Sequence, residues 1–187
     1  MMGAAHSDGA LERRAFVEFR ADTSARKLEG YAATFGAQAQ IGAIVETIAP
    51  GAFRAALGGD ILALMDHDAT RVLGRTASGT LRLSEDTRGL KFSLDLPDTA
   101  AGRDVLELAT RGDLGGMSFG FLVPYNGDEW DGSKRTLRTV NLMEVSVVSA
   151  WPAYPDTSLA LRHSPGFAAD TKRARRQRQI QMAEAGL

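Results

Sequence analysis

Gly112-Asp113-Leu114-Gly115-Gly116-Met117-Ser118-Phe119-Gly120-Phe121 reads as a glycine-rich turn that delivers one serine onto the start of a strand. Glycines on both sides of Ser118 remove Cβ bulk where a second chain segment can lie close. At strand period, Phe119, Phe121 and Val123 share one face, which leaves Ser118, Gly120 and Leu122 on the other. The aromatic face is the anchor, and the serine face is thinly covered. A serine beside glycine can equally be a turn residue making a local hydrogen bond, so its partners must decide.

Working outward, Thr99 to Arg111 carries Val105, Leu106, Leu108 and Ala109 at helical spacing, with Asp98 or Thr99 as cap and Gly112 just past the end. One amphipathic helix is therefore expected to lead into the serine turn. Before it, Leu81 and Leu83, then Leu90, Phe92, Leu94 and Leu96, alternate with polar residues around a turn at 84–89 and read as a hairpin. Further strands are expected at Phe16–Arg20, Leu28–Phe35, Ile44–Ile48 and Ile61–Met65. A short helix is expected over Pro50–Leu57, with proline in its first turn. Beyond the serine, 126–134 reads as an exposed loop with Trp130 folded back, and Arg135–Ser149 as one long strand closed off by Pro152 and Pro155. Strands outnumber helices, and the chain carries no internal repeat. The expected class is α+β, mostly β.

The 187 residues, 44% of them hydrophobic, suffice for one substantial core. A formal net charge of −1 gives no overall pull toward nucleic acid or an anionic membrane. The absence of cysteine excludes thiolate catalysis and thiolate metal sites. Neither a signal-peptide pattern nor an apolar run approaching the ~18 residues of a membrane span is present, and the reading is of a soluble intracellular protein. The expected organisation is a disordered segment at 1–12, one domain at 13–162 and a basic tail at 163–187. Lys172, Arg173, Arg175, Arg176 and Arg178 cluster in that tail.

Three side chains stand out chemically. Glu144 is a lone acid in Leu142-Met143-Glu144-Val145-Ser146-Val147-Val148, where an unpaired carboxylate costs several kcal/mol on burial, so it calls for a cationic or hydrogen-bonding partner. An edge-strand glutamate in water, or one bridged to an arginine, fits the same pattern. His67 ends a buried run at Asp66-His67-Asp68, while the other two histidines, His6 and His163, lie toward the ends. It can serve as a general base, bond to its flanking aspartates, or join Asp66 and Asp68 in a metal site. The last suffers because adjacent strand residues alternate faces. Ser118, His67 and Glu144 together offer a nucleophile, a base and an orienting acid.

Several motifs occur in one order. They are Gly30-Tyr31-Ala32, Glu46 to Pro50-Gly51-Ala52-Phe53, Leu64-Met65-Asp66-His67, Leu73-Gly74, Gly89-Leu90, Gly116–Phe121, Glu144–Val148 and Pro152-Ala153-Tyr154-Pro155. This set resembles the prohead maturation proteases of tailed phages, the HK97-type branch in particular, from about Arg13 to Arg162. The resemblance implies a serine endopeptidase related to the herpesvirus assemblins, on an antiparallel β-barrel with a few helices around it. Similar enzymes accompany gene transfer agents. It implies Ser118 as nucleophile, His67 as base and Glu144 as third member, where assemblins use a second histidine. Backbone amides of the turn, at Gly116, Met117 and Phe119, are the expected oxyanion donors. The implied substrate is scaffold or the scaffold-like segment of the major capsid protein, inside proheads assembling in the bacterial cytoplasm. The resemblance calls for no cofactor, metal, membrane or specific nucleic acid, and leaves self-association open. The alternatives are an inactive assembly or scaffold-binding protein and a metal-dependent hydrolase built on Asp66, His67 and Asp68. The basic tail is expected to act as an address for acidic scaffold or capsid segments.

Overall fold

The computed structural model describes residues 11–16 and 19–149. Residues 1–10 of the expected disordered segment, the strand-breaking prolines and the basic tail lie outside them, while Glu12, placed in that segment by the sequence, opens the first strand and is bonded to Arg14 and Arg135. Thirteen strands, β1 to β13, and one helix, α1, make up the described chain. They confirm a mostly β, α+β architecture.

The sheet that carries the serine has the order β1-β10-β13-β6-β7. Its strands are β1 (Glu12–Phe16), β6 (Leu62–Met65), β7 (Asp68–Arg75), β10 (Gly116–Leu122) and β13 (Asn141–Val148). All neighbours are antiparallel except β13 and β6, which run parallel. A second sheet has the order β2-β3-β9-β8, from β2 (Phe19–Asp22), β3 (Lys27–Thr34), β8 (Leu81–Glu85) and β9 (Gly89–Asp95). A third has the order β11-β12-β5-β4, from β4 (Ala39–Ile41), β5 (Ile44–Ile48), β11 (Asp128–Asp131) and β12 (Lys134–Leu137). Each sheet ends in two edge strands, so the described residues form open sheets and no closed barrel.

The core lies where the sheets face one another, and strands such as β8 and β9 turn one apolar face to it at period two. Met117, Phe119, Val145 and Val147 point into it from the serine sheet, where they meet Leu28, Phe53, Phe92 and Leu94. Phe119 stacks on Phe121 with centroids 5.0 Å apart and meets Phe53 edge-on at 5.4 Å. The expected aromatic anchor is therefore the inward face of β10. The outward face, with Ser118, Glu144 and Ser146, carries the polar groups.

Helix α1 (Ala100–Arg111) matches its expected caps. The Thr99 side chain accepts from the Gly102 amide, and Gly112 closes the helix at φ 76°, a left-handed turn that glycine takes without a Cβ clash. The expected hairpin is β8–β9.

Other expectations need correction. Residues 50–58 are a run of turns, not a helix: Ala52, Arg54 and Ala56 each donate to a carbonyl three residues back, and no four-residue ladder forms. The single strand expected across Phe16–Arg20 is two strands in different sheets. The expected loop at 126–134 is largely the β11–β12 hairpin, with Trp130 stacked over Arg135 at 5.5 Å. Arg135–Ser149 is likewise two strands, β12 and β13, which serve different sheets.

A buried ion cluster ties β1 to the third sheet. Arg14 donates through Nε to Glu46 Oε1 at 2.6 Å and through Nη2 to Glu46 Oε2 at 2.8 Å and Glu12 Oε2 at 2.7 Å. Arg135 donates to both oxygens of Glu12, to Glu46 Oε2 at 3.0 Å and to Asp128 Oδ2 at 2.8 Å. Glu46 is only 2% exposed. Two guanidinium forks and three carboxylates thus satisfy one another out of water, as buried charges must.

Candidate active site

The β6–β7 connection is a two-residue hairpin with Met65 paired to Asp68. Asp66 and His67 between them take φ 53° and 62°, so both central residues are left-handed, as a type I′ turn requires. Neither is glycine, and aspartate and histidine are among the side chains that tolerate this conformation. The turn is held from outside. The Asp66 amide donates to the Val147 carbonyl, while its carboxylate accepts from the Ser149 amide at 2.7 Å and the Ser149 hydroxyl at 2.8 Å. The end of β13 therefore fixes the hairpin tip that carries His67.

Glu144 sits on β13 opposite Gly120 of β10, and Gly120 in turn faces Arg13 of β1. A Cβ at Gly120 would stand 2.7 Å from both Cγ and Oε1 of Glu144, so the missing side chain lets the acid lie flat across β10. There Glu144 Oε1 accepts from His67 Nδ1 at 2.6 Å and from Arg13 Nε at 3.1 Å. Burial pushes the Glu144 carboxyl up, but the hydrogen bonds and charges of His67 and Arg13 outweigh it and hold the group below the usual carboxylate range. An ionised carboxylate only accepts, so the proton in this bond belongs to His67 Nδ1, and in the neutral form of the ring the lone pair is on Nε2.

Ser118 lies one row along the same sheet face, paired with Ser146 on β13 and Ala15 on β1. It is 1% exposed. Among the described residues no hydrogen bond joins its hydroxyl to His67; bonds of this kind tighten when substrate fills a site. The structure thus brings His67 and Glu144 into direct contact and sets Ser118 on the face they occupy. Met117 and Phe119 fall where β10 is paired on both sides, so their backbone groups serve the ladders to β1 and β13, while Gly116 opens the strand and, among the described residues, pairs with Val148 of β13 alone.

The three side chains of the alternative metal site have separate partners. Asp66 turns to Ser149, His67 to Glu144, and Asp68 to the amide and hydroxyl of Thr70. Among the described residues no group of three or more acidic, histidine or cysteine side chains could hold a metal ion.

Sequence reasoning called for a cation on Glu144 without locating it. Arg13 supplies it from 131 residues away, a separation that no local pattern reports. Ser146, two residues on from Glu144, shares its sheet face and pairs with Ser118. It is fully buried, and among the described residues its hydroxyl has no hydrogen-bond partner.

An imidazole bonded through Nδ1 to an acid, on the sheet face that also carries a serine, is an arrangement suited to acyl transfer. The model of the Caudovirus prohead serine protease family matches residues 15–170, and the chain belongs to that family. Neither the curated proteins nor the solved structures gave a match.

Proposed function

We propose that this member of the prohead serine protease family is an active endopeptidase in which Ser118, His67 and Glu144 act as a unit. The observation that carries the reading is the 2.6 Å bond from His67 Nδ1 to a Glu144 carboxylate kept ionised in a largely buried site. It fixes the ring tautomer, leaving Nε2 to take a proton from the serine.

In this mechanism Ser118 Oγ attacks the peptide carbonyl carbon as its proton passes to His67 Nε2. The C–N bond of the tetrahedral intermediate then breaks, and the imidazolium returns that proton to the leaving amine. Water attacks the acyl-enzyme by the same route and releases the acid. Glu144 stabilises the imidazolium in both halves without taking its proton. An oxyanion role for the amides of Met117 and Phe119 needs them released from the paired strand first, whereas Gly116 lies at the start of β10, beyond its pairing with β1.

Membership of the family supports a substrate of this class: scaffold, or a scaffold-like segment of the major capsid protein, cleaved inside an assembling prohead in the bacterial cytoplasm. Among the described residues no helix is long and apolar enough to cross a membrane.

The test is a serine-reactive phosphonate, with the site of its adduct read by mass spectrometry. An adduct on Ser118, weakened strongly in His67→Ala, supports the enzyme. Absence of labelling in a folded protein that still associates with capsid subunits supports a non-catalytic assembly role instead.

A further inference from the structure

The proposed mechanism assigns no task to Arg13, yet the sheet builds it into the site. Its Nε–H donates to the same Glu144 oxygen that takes the His67 Nδ1–H. Arg13 and Glu144 approach from strands on either side of β10 and meet over Gly120. The placement is reinforced by the next residue. Adjacent residues of a strand point to opposite faces, so the ion cluster that grips Arg14 on the inner side also sets where Arg13 points.

We propose that Arg13 is a positioning residue for acyl transfer: it shares Glu144 Oε1 with His67, fixes the carboxylate against the ring and limits how tightly the imidazole holds its proton. The inference rests on the Ser118–His67–Glu144 reading. A buried carboxylate alone beside His67 would strongly favour the imidazolium, and a base already protonated at neutral pH is no base. A guanidinium on the same oxygen offsets part of that charge. Since arginine stays protonated throughout the working range, the offset does not vary with pH.

The remaining charges near His67 have other partners. Asp66 is bound by Ser149 and approached by Arg71, Arg71 also reaches Asp104 on α1, and Asp68 accepts from Thr70. On this face β10 contributes Ser118 and Gly120, neither of them ionisable.

The experiment titrates His67 by NMR in the full-length chain carrying Ser118→Ala, with its signal assigned through His67→Gln. It is repeated with Arg13→Gln, Arg13→Lys and Glu144→Gln, and kcat/KM is followed against pH in the same three variants with Ser118 restored. Arg13→Gln should raise the His67 midpoint by about one pH unit, the scale of a nearby charge. The acid limb of kcat/KM should move the same way. Its plateau should fall by on the order of 100-fold, as misplaced catalytic groups do. Arg13→Lys should return the midpoint toward wild type and recover only part of the rate, since a point charge replaces an oriented donor. Glu144→Gln should move the midpoint the opposite way. A midpoint that stays put in Arg13→Gln, while Glu144→Gln shifts it, overturns the role of Arg13 and spares the triad. No shift in either variant overturns the triad reading itself. Should Arg13→Gln fail to fold, Arg13→Lys decides alone: a reduced plateau with a near-native midpoint supports the proposal, and a native plateau overturns it.

Discussion

The side chain of Glu144 lies across the backbone of Gly120, where an added Cβ would stand 2.7 Å from its Cγ and its Oε1. The acid needs that gap to reach His67 on one side and Arg13 on the other. Gly120→Ala should therefore displace the carboxylate while sparing the fold. The clash is with a side chain and not with backbone, so the strand can keep its place. Melting temperature should fall, because the displaced carboxylate gives up its bonds to His67 and Arg13, while kcat falls by on the order of 100-fold. Turnover near that of the wild type would show that the acid does not need its place over Gly120.

Ser118 and His67 are expected to fail together. If one takes the proton of the other, Ser118→Ala and His67→Ala each disable acylation, and the double variant is no slower than either single. Rates that multiply in the double variant would mean that the two residues act separately. Peptide hydrolysis measured in all four combinations decides this.

Much of the site was legible because it is written in short motifs. The helix caps at Thr99 and Gly112, the aromatic period of Phe119 and Phe121 and the lone acid in an apolar strand are local signals, and each corresponds to a feature of the structure. What escaped was non-local or broke the period. Strand β7 departs from strict alternation because its pairing with β6 shifts register twice, so no strand was expected after His67. Arg13 and Glu144 form one contact across nearly the whole described chain. Glu46, Arg14 and Arg135 look like surface charges one at a time, and only the packing of β1 on the third sheet makes them a buried cluster. The expected barrel came with the resemblance and not from strand periodicity, which does not report sheet closure, and the described residues form open sheets instead.

The His67 turn carries its own prediction. Asp66 holds φ 53° and receives two hydrogen bonds from Ser149. Asp66→Ala places a Cβ residue with no compensating bond in a conformation that costs about 1–2 kcal/mol. Activity should drop together with stability. Asn tolerates the same backbone angles and can still bond the Ser149 hydroxyl, so Asp66→Asn should restore most of both. If Asp66→Ala were as active and as stable as wild type, the turn would not be what sets the position of His67. Denaturant midpoints and kcat of the two variants settle the matter.

Acid should attack the fold through the same carboxylates that organise it. Burial pushes Glu12 up, but hydrogen bonds and charge from Arg135 and Arg14 outweigh it, and its carboxyl is held below the usual range, as is that of Glu144. A depressed folded value means that the stabilisation is complete above the unfolded carboxylate pKa of about 4.3 and is lost as pH falls through the folded one. Arg135 is pushed the other way: burial lowers it, but its bonds to Glu12 and Asp128 more than restore it, so its charge persists throughout. Stability should thus be level from neutral pH to about pH 5 and decline below about pH 4. Glu46→Gln strips charge from the centre of the cluster and leaves Arg14 and Arg135 short of a partner, a loss of about 3–5 kcal/mol for a broken buried pair. For a chain of this size that lowers the melting temperature by on the order of 10 °C. Glu12→Gln should also be less stable at neutral pH but lose less on acidification, because one of the titrating groups is gone. Urea midpoints at about pH 7 and about pH 3.5 measure both effects. An acid loss in Glu12→Gln equal to that of wild type would remove Glu12 from the account, and a Glu46→Gln protein as stable as wild type would reduce the cluster to a surface ornament of β1.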